Sequence, residues 1–132
     1  MTIHLTVAEV VVIHDEIMMR TGYAPEGLRD EGLLESALMR AQAAAYYEGA
    51  DLVRQAVLIA VGISQNQPFV DGNKRAAFGV LDVFLRINGF TSIGDPIELA
   101  QKFEQIADPG VDRNEGTDQL TGWFGERVRP VE

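Results

Sequence analysis

NQPFVDGNKRAAFGV (Asn66–Val80) decides how the chain is read, because it has the form of a phosphate-binding turn that opens a helix. A helix N-terminus leaves backbone N–H groups unpaired and carries a partial positive charge, so it attracts anions. Gly72 lets the backbone turn tightly and approach such a ligand. Asn73, Lys74 and Arg75 add donors and two positive charges in the first turn, where cations oppose the helix dipole. Residues that weaken a helix but improve an anion site point to an anion. Asp71 supplies a hard oxygen suited to Mg²⁺ bridging phosphates, and Phe69 reads as the anchor of the loop. The structural alternative is that Asp71 and Asn73 only cap the helix while Lys74 and Arg75 point to solvent.

Outward from this turn, both flanks read as buried helices. Upstream, LVRQAVLIAVGIS follows Asp51 as its cap and is apolar on most of its circumference. Downstream, a helix from near Gly72 runs through NKRAAFGVLDVFLRIN, again apolar on most sides, and ends at Asn88 and Gly89. Towards the N-terminus, Thr6 caps VAEVVVIHDEIMMR, with Val10, Ile13, His14, Ile17 and Met18 on one face and Gly22 as the stop. The loop TGYAPEGLRD leads to a second helix from about Asp30 through EGLLESALMRAQAAA, with Leu33, Leu34, Ala37 and Leu38 inward, and YYEGA reads as a polar break.

Beyond Gly89, Phe90–Ile93 suits a short extended piece. GDPIELAQKFEQIA, with Asp95 as cap, Pro96 in the first turn and Glu98 three residues after the cap, starts another helix. A last helix of roughly Gly116–Arg127 carries Leu120, Trp123 and Phe124. The reading is one all-α domain over 1–132, a compact bundle of about six helices. Two buried central helices in it are joined by the motif loop.

Bulk composition narrows the classes of function. The 132 residues are 46% hydrophobic, enough for one core. Lys and Arg total 11 against 20 Asp and Glu, and a net charge of −9 repels polyanions, which argues against nucleic-acid binding. Cysteine is absent, which fits a reducing cytoplasm. The N-terminus shows no basic leader before an apolar run, and Val57–Ile63 is too short to cross a bilayer, so neither a signal peptide nor a membrane span is expected.

PFVDGNKRAAF resembles the signature of the Fic/Doc superfamily, H-x-F-x-D/E-G-N-K/G-R. IHDEIM with GLRDEGLLESALMRAQ resembles the N-terminal half of its death-on-curing (Doc) branch. The resemblance implies a helical bundle whose motif loop joins two central helices. It implies that Asp71 binds Mg²⁺, that Gly72 and Asn73 shape an anion nest, and that Lys74 and Arg75 contact ATP phosphates. Lys74 stands where adenylyl-transferring members have glycine, and Phe78 where they have a further arginine. Both features resemble the Doc branch. Its members transfer the γ-phosphate of ATP to a threonine of elongation factor Tu and halt translation. They are held by a separate, Phd-like antitoxin whose tail folds as a helix into a groove. Adenylyl transfer, or a non-catalytic nucleotide- or protein-binding module, are the alternatives.

Gln67 is the departure. It occupies the place of the motif histidine, and a neutral amide accepts no proton at neutral pH. The nest can bind as before while catalysis is impaired. His4 and His14 are the only other candidates for a base, and His14 reads as a hydrogen-bonded core residue rather than a catalyst. Two histidines without a Glu-x-x-His pattern do not make a zinc site, and Ser64 lacks a nucleophile elbow. No self-inhibitory S/T-x-x-x-E/D-G-N helix is found. Tyr46–Tyr47–Glu48–Gly49 is a candidate docking site for a target, or else two half-buried tyrosines at a helix end.

Overall fold

A computed structural model of the chain describes residues 1–106, 108 and 110–131. Among these residues the elements run α1 (Val7–Arg20), α2 (Glu31–Glu48), α3 (Leu52–Asn66), α4 (Asn73–Ile87), β1 (Phe90–Ser92), α5 (Pro96–Ile106), α6 (Arg113–Gly125) and β2 (Val128–Pro130).

Helix α3 is the axis of the bundle. Every residue from Gln55 to Ser64 is buried, as expected of a helix apolar nearly all round. It packs against α4, α2 and α6, and α1 closes over α4. Helix α4 is less enclosed than the sequence suggests. Ala76, Ala77, Val80, Leu81, Phe84 and Leu85 are buried, while Phe78 and Val83 on its other flank stay half-covered. The motif loop, residues 67–72, joins these two helices.

Most helix starts fall where the caps predict. Thr6 forms a full capping box with Glu9, and Asp30 and Asp51 accept from the N–H groups of Leu33 and Arg54. Asp95 Oδ1 accepts from the Ile97 N–H at 3.0 Å. The end of that helix expected at Ala107 lies outside the described residues.

Other boundaries differ. YYEGA is not a break, because α2 continues through Tyr46, Tyr47 and Glu48 and stops at Gly49 in the left-handed region (φ 66). Tyrosine tolerates a helix, and the left-handed cap ends it. Helix α3 runs past Ser64 to Asn66. Helix α6 starts at Arg113 rather than Gly116, capped by Asp112, and ends at Gly125 rather than Arg127. The C-terminal segment then turns back as β2 and pairs antiparallel with β1, with Phe90 opposite Pro130 and Ser92 opposite Val128. None of the described helices is long and apolar enough to cross a membrane.

Candidate functional site

The site is built by the way α3 stops and α4 starts. Helix α3 ends on Gln67 in the left-handed conformation (φ 52, ψ 58), the only non-glycine with positive φ among the described residues. Such a conformation costs a side-chain-bearing residue of order 1–3 kcal/mol and persists only where the surroundings hold it. Arg29 does so. Its Nε and Nη2 donate to the Gln67 carbonyl at 3.0 and 2.7 Å, and Nη2 also reaches the Asn66 carbonyl at 3.1 Å.

From Pro68 to Val70 the loop is braced by the segment ahead of α2. The N–H groups of Arg29 and Asp30 donate to the Pro68 carbonyl, and the Val70 N–H donates to the Gly27 carbonyl. Leu28 and Phe69 thereby form an isolated antiparallel bridge.

Phe69 is buried in the core, as expected of an anchor, and lies flat on the ring of His14 with centroids 3.8 Å apart. His14 is itself buried, and its Nε2 bonds the Asp71 carbonyl at 2.8 Å while Nδ1 faces Asp15 Oδ1 at 3.0 Å. His14 is therefore a hydrogen-bonded core residue that pins the motif loop to α1.

Asn73 closes the loop from the other side. Its Oδ1 accepts from the Phe69 N–H at 2.9 Å and its Nδ2 donates to the Phe69 carbonyl at 3.0 Å. The side-chain amide is tied to the loop through its oxygen and one of its two N–H donors, so Asn73 shapes the nest as a clamp.

At the head of α4, Gly72 is left-handed (φ 78), and there is no side-chain cap, in contrast to α1, α2, α3 and α6. An added Cβ at Gly72 would overlap the Met18 sulfur, so glycine is required by space as well as by φ. The first intrahelical donor is the Ala76 N–H, to the Gly72 carbonyl at 2.9 Å. The N–H groups of Asn73, Lys74 and Arg75 thus have no helical acceptor and open onto a cleft. This cleft, of about 510 Å³, is lined among others by Ser64, Gln67, Asp71, Lys74, Arg75 and Glu104. Capping by Asp71 and Asn73 is not what occupies this helix start.

Asp71 is exposed, and its Oδ1 accepts from the Gly72 N–H at 2.7 Å. No group of three or more His, Asp or Glu that could hold a metal occurs among the described residues. A lone carboxylate beside an anion nest suits Mg²⁺, which keeps waters and takes its other ligands from phosphates, better than an all-protein cage.

Lys74 and Arg75 are both exposed and face the cleft. Lys74 Nζ lies 3.5 Å from Glu104 Oε1 of α5, and the Arg75 guanidinium rests 4.3 Å over the Tyr23 ring. Phe78 is half-buried and packs edge-on with Phe103 at 6.2 Å, outside the nest. Tyr46 and Tyr47 are not half-buried but 82% and 81% exposed, and they line a separate cleft with Met39 and His4.

The motif residues are thus brought together, while three participants had no signal in the motif. Arg29 and His14 hold the loop, and Glu104 reaches the cleft from α5. Only the pairing of Arg29 with a helix C-terminus, a frequent place for arginine, could have hinted at the first.

Comparison with known proteins gives the family to which this site belongs. A family model described as the Fic/DOC family matches residues 4–85, from ahead of α1 to near the end of α4. The chain is 36% identical over 98 residues to Protein kinase doc of Escherichia phage P1, covering 74% of this chain and 76% of that protein. It is 37% identical over 81 residues to Toxin Doc of Mycolicibacterium smegmatis, covering 58% of this chain and 55% of that one.

Proposed function

We propose, because the chain belongs to the Fic/DOC family, that it is a Doc-type toxin of a toxin–antitoxin module. Its chemistry is transfer of the γ-phosphoryl group of ATP to a threonine hydroxyl of elongation factor Tu, arresting translation in the cytoplasm. This chain performs that reaction poorly, because Gln67 stands where the proton acceptor belongs. The observation that carries the reading is the uncapped start of α4, with three open N–H groups flanked by Asp71, Lys74 and Arg75.

The substrate oxygens fit these donors, with Lys74 and Arg75 contributing charge at the cleft wall. Asp71 would hold Mg²⁺, which when bound neutralises charge on the phosphates. The threonine oxygen attacks the γ-phosphorus, the bond from that phosphorus to the β,γ-bridging oxygen breaks, and ADP leaves. The hydroxyl proton must pass to a base at position 67, and the loss of a general base costs about 10²- to 10⁴-fold in rate. The half-buried position of Phe78, away from the nest, favours phosphoryl over adenylyl transfer, since no second arginine faces the nucleotide from there.

An antitoxin helix has a fitting groove beside the nest. Ile17, Thr21, Phe78, Ala100 and Phe103 line an apolar cleft of about 260 Å³ whose border, Lys74, Arg75 and Glu104, is shared with the phosphate cleft. A Phd-like helix seated there would cover the phosphate site.

The test restores the base. Gln67→His and the unaltered chain are incubated with ATP, Mg²⁺ and elongation factor Tu, and the intact mass of the target is followed. A phosphate-sized gain that is strong with histidine and weak or absent with glutamine supports the reading. An AMP-sized gain moves it to adenylyl transfer, and no gain with either form favours a non-catalytic binding module.

A further inference from the structure

At the C-terminal end of α3, beside residue 67, the chain carries a band of arginines with no carboxylate partner among the described residues. Arg113 is its centre. Its Nε donates to Gln65 Oε1 at 2.7 Å and its Nη2 to Asn66 Oδ1 at 2.8 Å, both neutral acceptors. Arg29 shares Asn66 with it, through the backbone carbonyl. Arg40 donates to Asn114 Oδ1 at 3.1 Å, again a neutral amide. Partial burial, and then the charge of Arg40, push the Arg113 guanidinium below its ordinary range.

None of these three arginines has a carboxylate within 4.0 Å among the described residues, although acidic residues outnumber basic ones 20 to 11. Elsewhere Arg20, Arg54, Arg86 and Arg127 each find one at 2.7 to 3.7 Å, whereas Arg75 rests on the Tyr23 ring and Arg129 bonds a backbone carbonyl. Asp30 and Asp112, the carboxylates next in sequence to Arg29 and Arg113, are turned away to cap α2 and α6. In all three arginines Nη1 makes no hydrogen bond among the described residues. The buried Nε2 of Gln65, beside Arg113, likewise has no acceptor among the described residues.

The C-terminal dipole of α3 explains why a cation such as Arg29 lies there. It does not explain Arg40, which bonds α6 and is repelled by Arg113. Arg113, half-buried and held close to the like charge of Arg40, with exposed Arg29 and Arg40 offering free donors beside it, makes a site whose missing component is negative.

We propose that this band docks an acidic segment of the protein substrate, next to the hydroxyl presented at residue 67. The inference rests on the phosphoryl-transfer reading for the identity of that neighbour. Charge complementarity selects the occupant. A polynucleotide would meet the repulsion of a chain of net charge −9, whereas a short acidic segment meets only the local band.

The experiment measures fluorescence anisotropy of three labelled peptides of equal length, each a threonine flanked by glutamates, by serines or by lysines. The unaltered chain is titrated with Mg²⁺ and a non-hydrolysable ATP analogue present, at low and high salt. The glutamate peptide binds tightest, and its binding weakens with salt. Arg113→Gln weakens it by about tenfold, as loss of a charge-assisted contact does. Arg40→Gln, at an exposed position with one hydrogen bond, weakens it several-fold without endangering the fold. Affinity for the ATP analogue, titrated separately, is unchanged in both variants.

Equal affinity for the three peptides, indifference to both arginines, or a single-stranded oligonucleotide binding more tightly than the glutamate peptide each overturns the proposal. Arginine-dependent peptide binding by a chain that does not bind the ATP analogue supports the band and overturns phosphoryl transfer instead.

Discussion

Replacing Asn73 by alanine separates a loop clamp from an anion donor. In the structure the side-chain amide makes two hydrogen bonds, both to the backbone of Phe69, at 2.9 and 3.0 Å. Each is worth about 1 kcal/mol net, and removing the acceptor also strands a partly buried N–H, which costs roughly 1–3 kcal/mol on its own. The better intrinsic helix propensity of alanine returns at most about 0.7 kcal/mol. Asn73→Ala is therefore expected to destabilise the fold by about 2–4 kcal/mol, a fall in melting temperature of roughly 6–16 °C for a chain of this size. In urea the midpoint falls while the slope stays constant, since the same surface is exposed on unfolding. Asn73→Asp keeps an acceptor for the Phe69 N–H and loses only the donor, so it falls between the two. ATP titration of the folded variants accompanies the melts. A stability within about 0.5 kcal/mol of the unaltered chain, combined with a large loss of ATP affinity, would refute the clamp and make Asn73 a direct ligand of the anion.

Gly72→Ala forces a left-handed residue and an overlap with the Met18 sulfur. A loss of about 1–3 kcal/mol in a urea melt is expected, with weakened ATP binding as the cradle shifts. Glu104→Gln removes the carboxylate that faces Lys74 at 3.5 Å. Calorimetry should show ATP affinity rising by up to about fivefold at low salt, as befits an exposed ion pair, and the gain shrinking as salt is added. The Glu9 carboxyl is held below its ordinary pKa by the backbone N–H of Thr6 and then by its hydroxyl. A depressed folded-state value means its contribution is present above the unfolded pKa and is lost as pH falls through the folded one. Melts through the acid range should show that component in the unaltered chain and not in Glu9→Gln.

The core of this fold was legible because α3 and α4 carry their burial in plain composition, and because caps such as Thr6, Asp51 and Asp95 announce helix starts. Two kinds of feature were not. Boundaries set by weak preferences went astray, as where tyrosines at 46 and 47 continue a helix that a left-handed glycine then ends. Strand β2 could not be seen, since three residues show no alternation and its pairing with β1 is a contact between distant segments. The same division runs through the site. Lys74 and Arg75 betray themselves by being poor choices for a helix start. His14 acts across 57 positions of sequence and Arg29 across 38, and Glu104 comes from another helix, so no local pattern marks them.

On the proposed reading, residue 67 is where binding and proton transfer can be lost separately. Its backbone ends α3 in a left-handed turn, gives its carbonyl to Arg29 and its N–H to the Ile63 carbonyl, and so aims the loop. None of these bonds involves the side chain. The nest lies five to eight residues further on, and the bonds that fix it, from Asn73, His14 and the bridge to Leu28, do not involve the side chain of residue 67, although that residue lines the same cleft. On that reading, a change of side chain at this position therefore alters the proton acceptor and leaves the loop's backbone framework standing. If Gln67→His instead changed ATP affinity as strongly as rate, the two would be coupled through the loop, and these backbone interactions could not be what holds it.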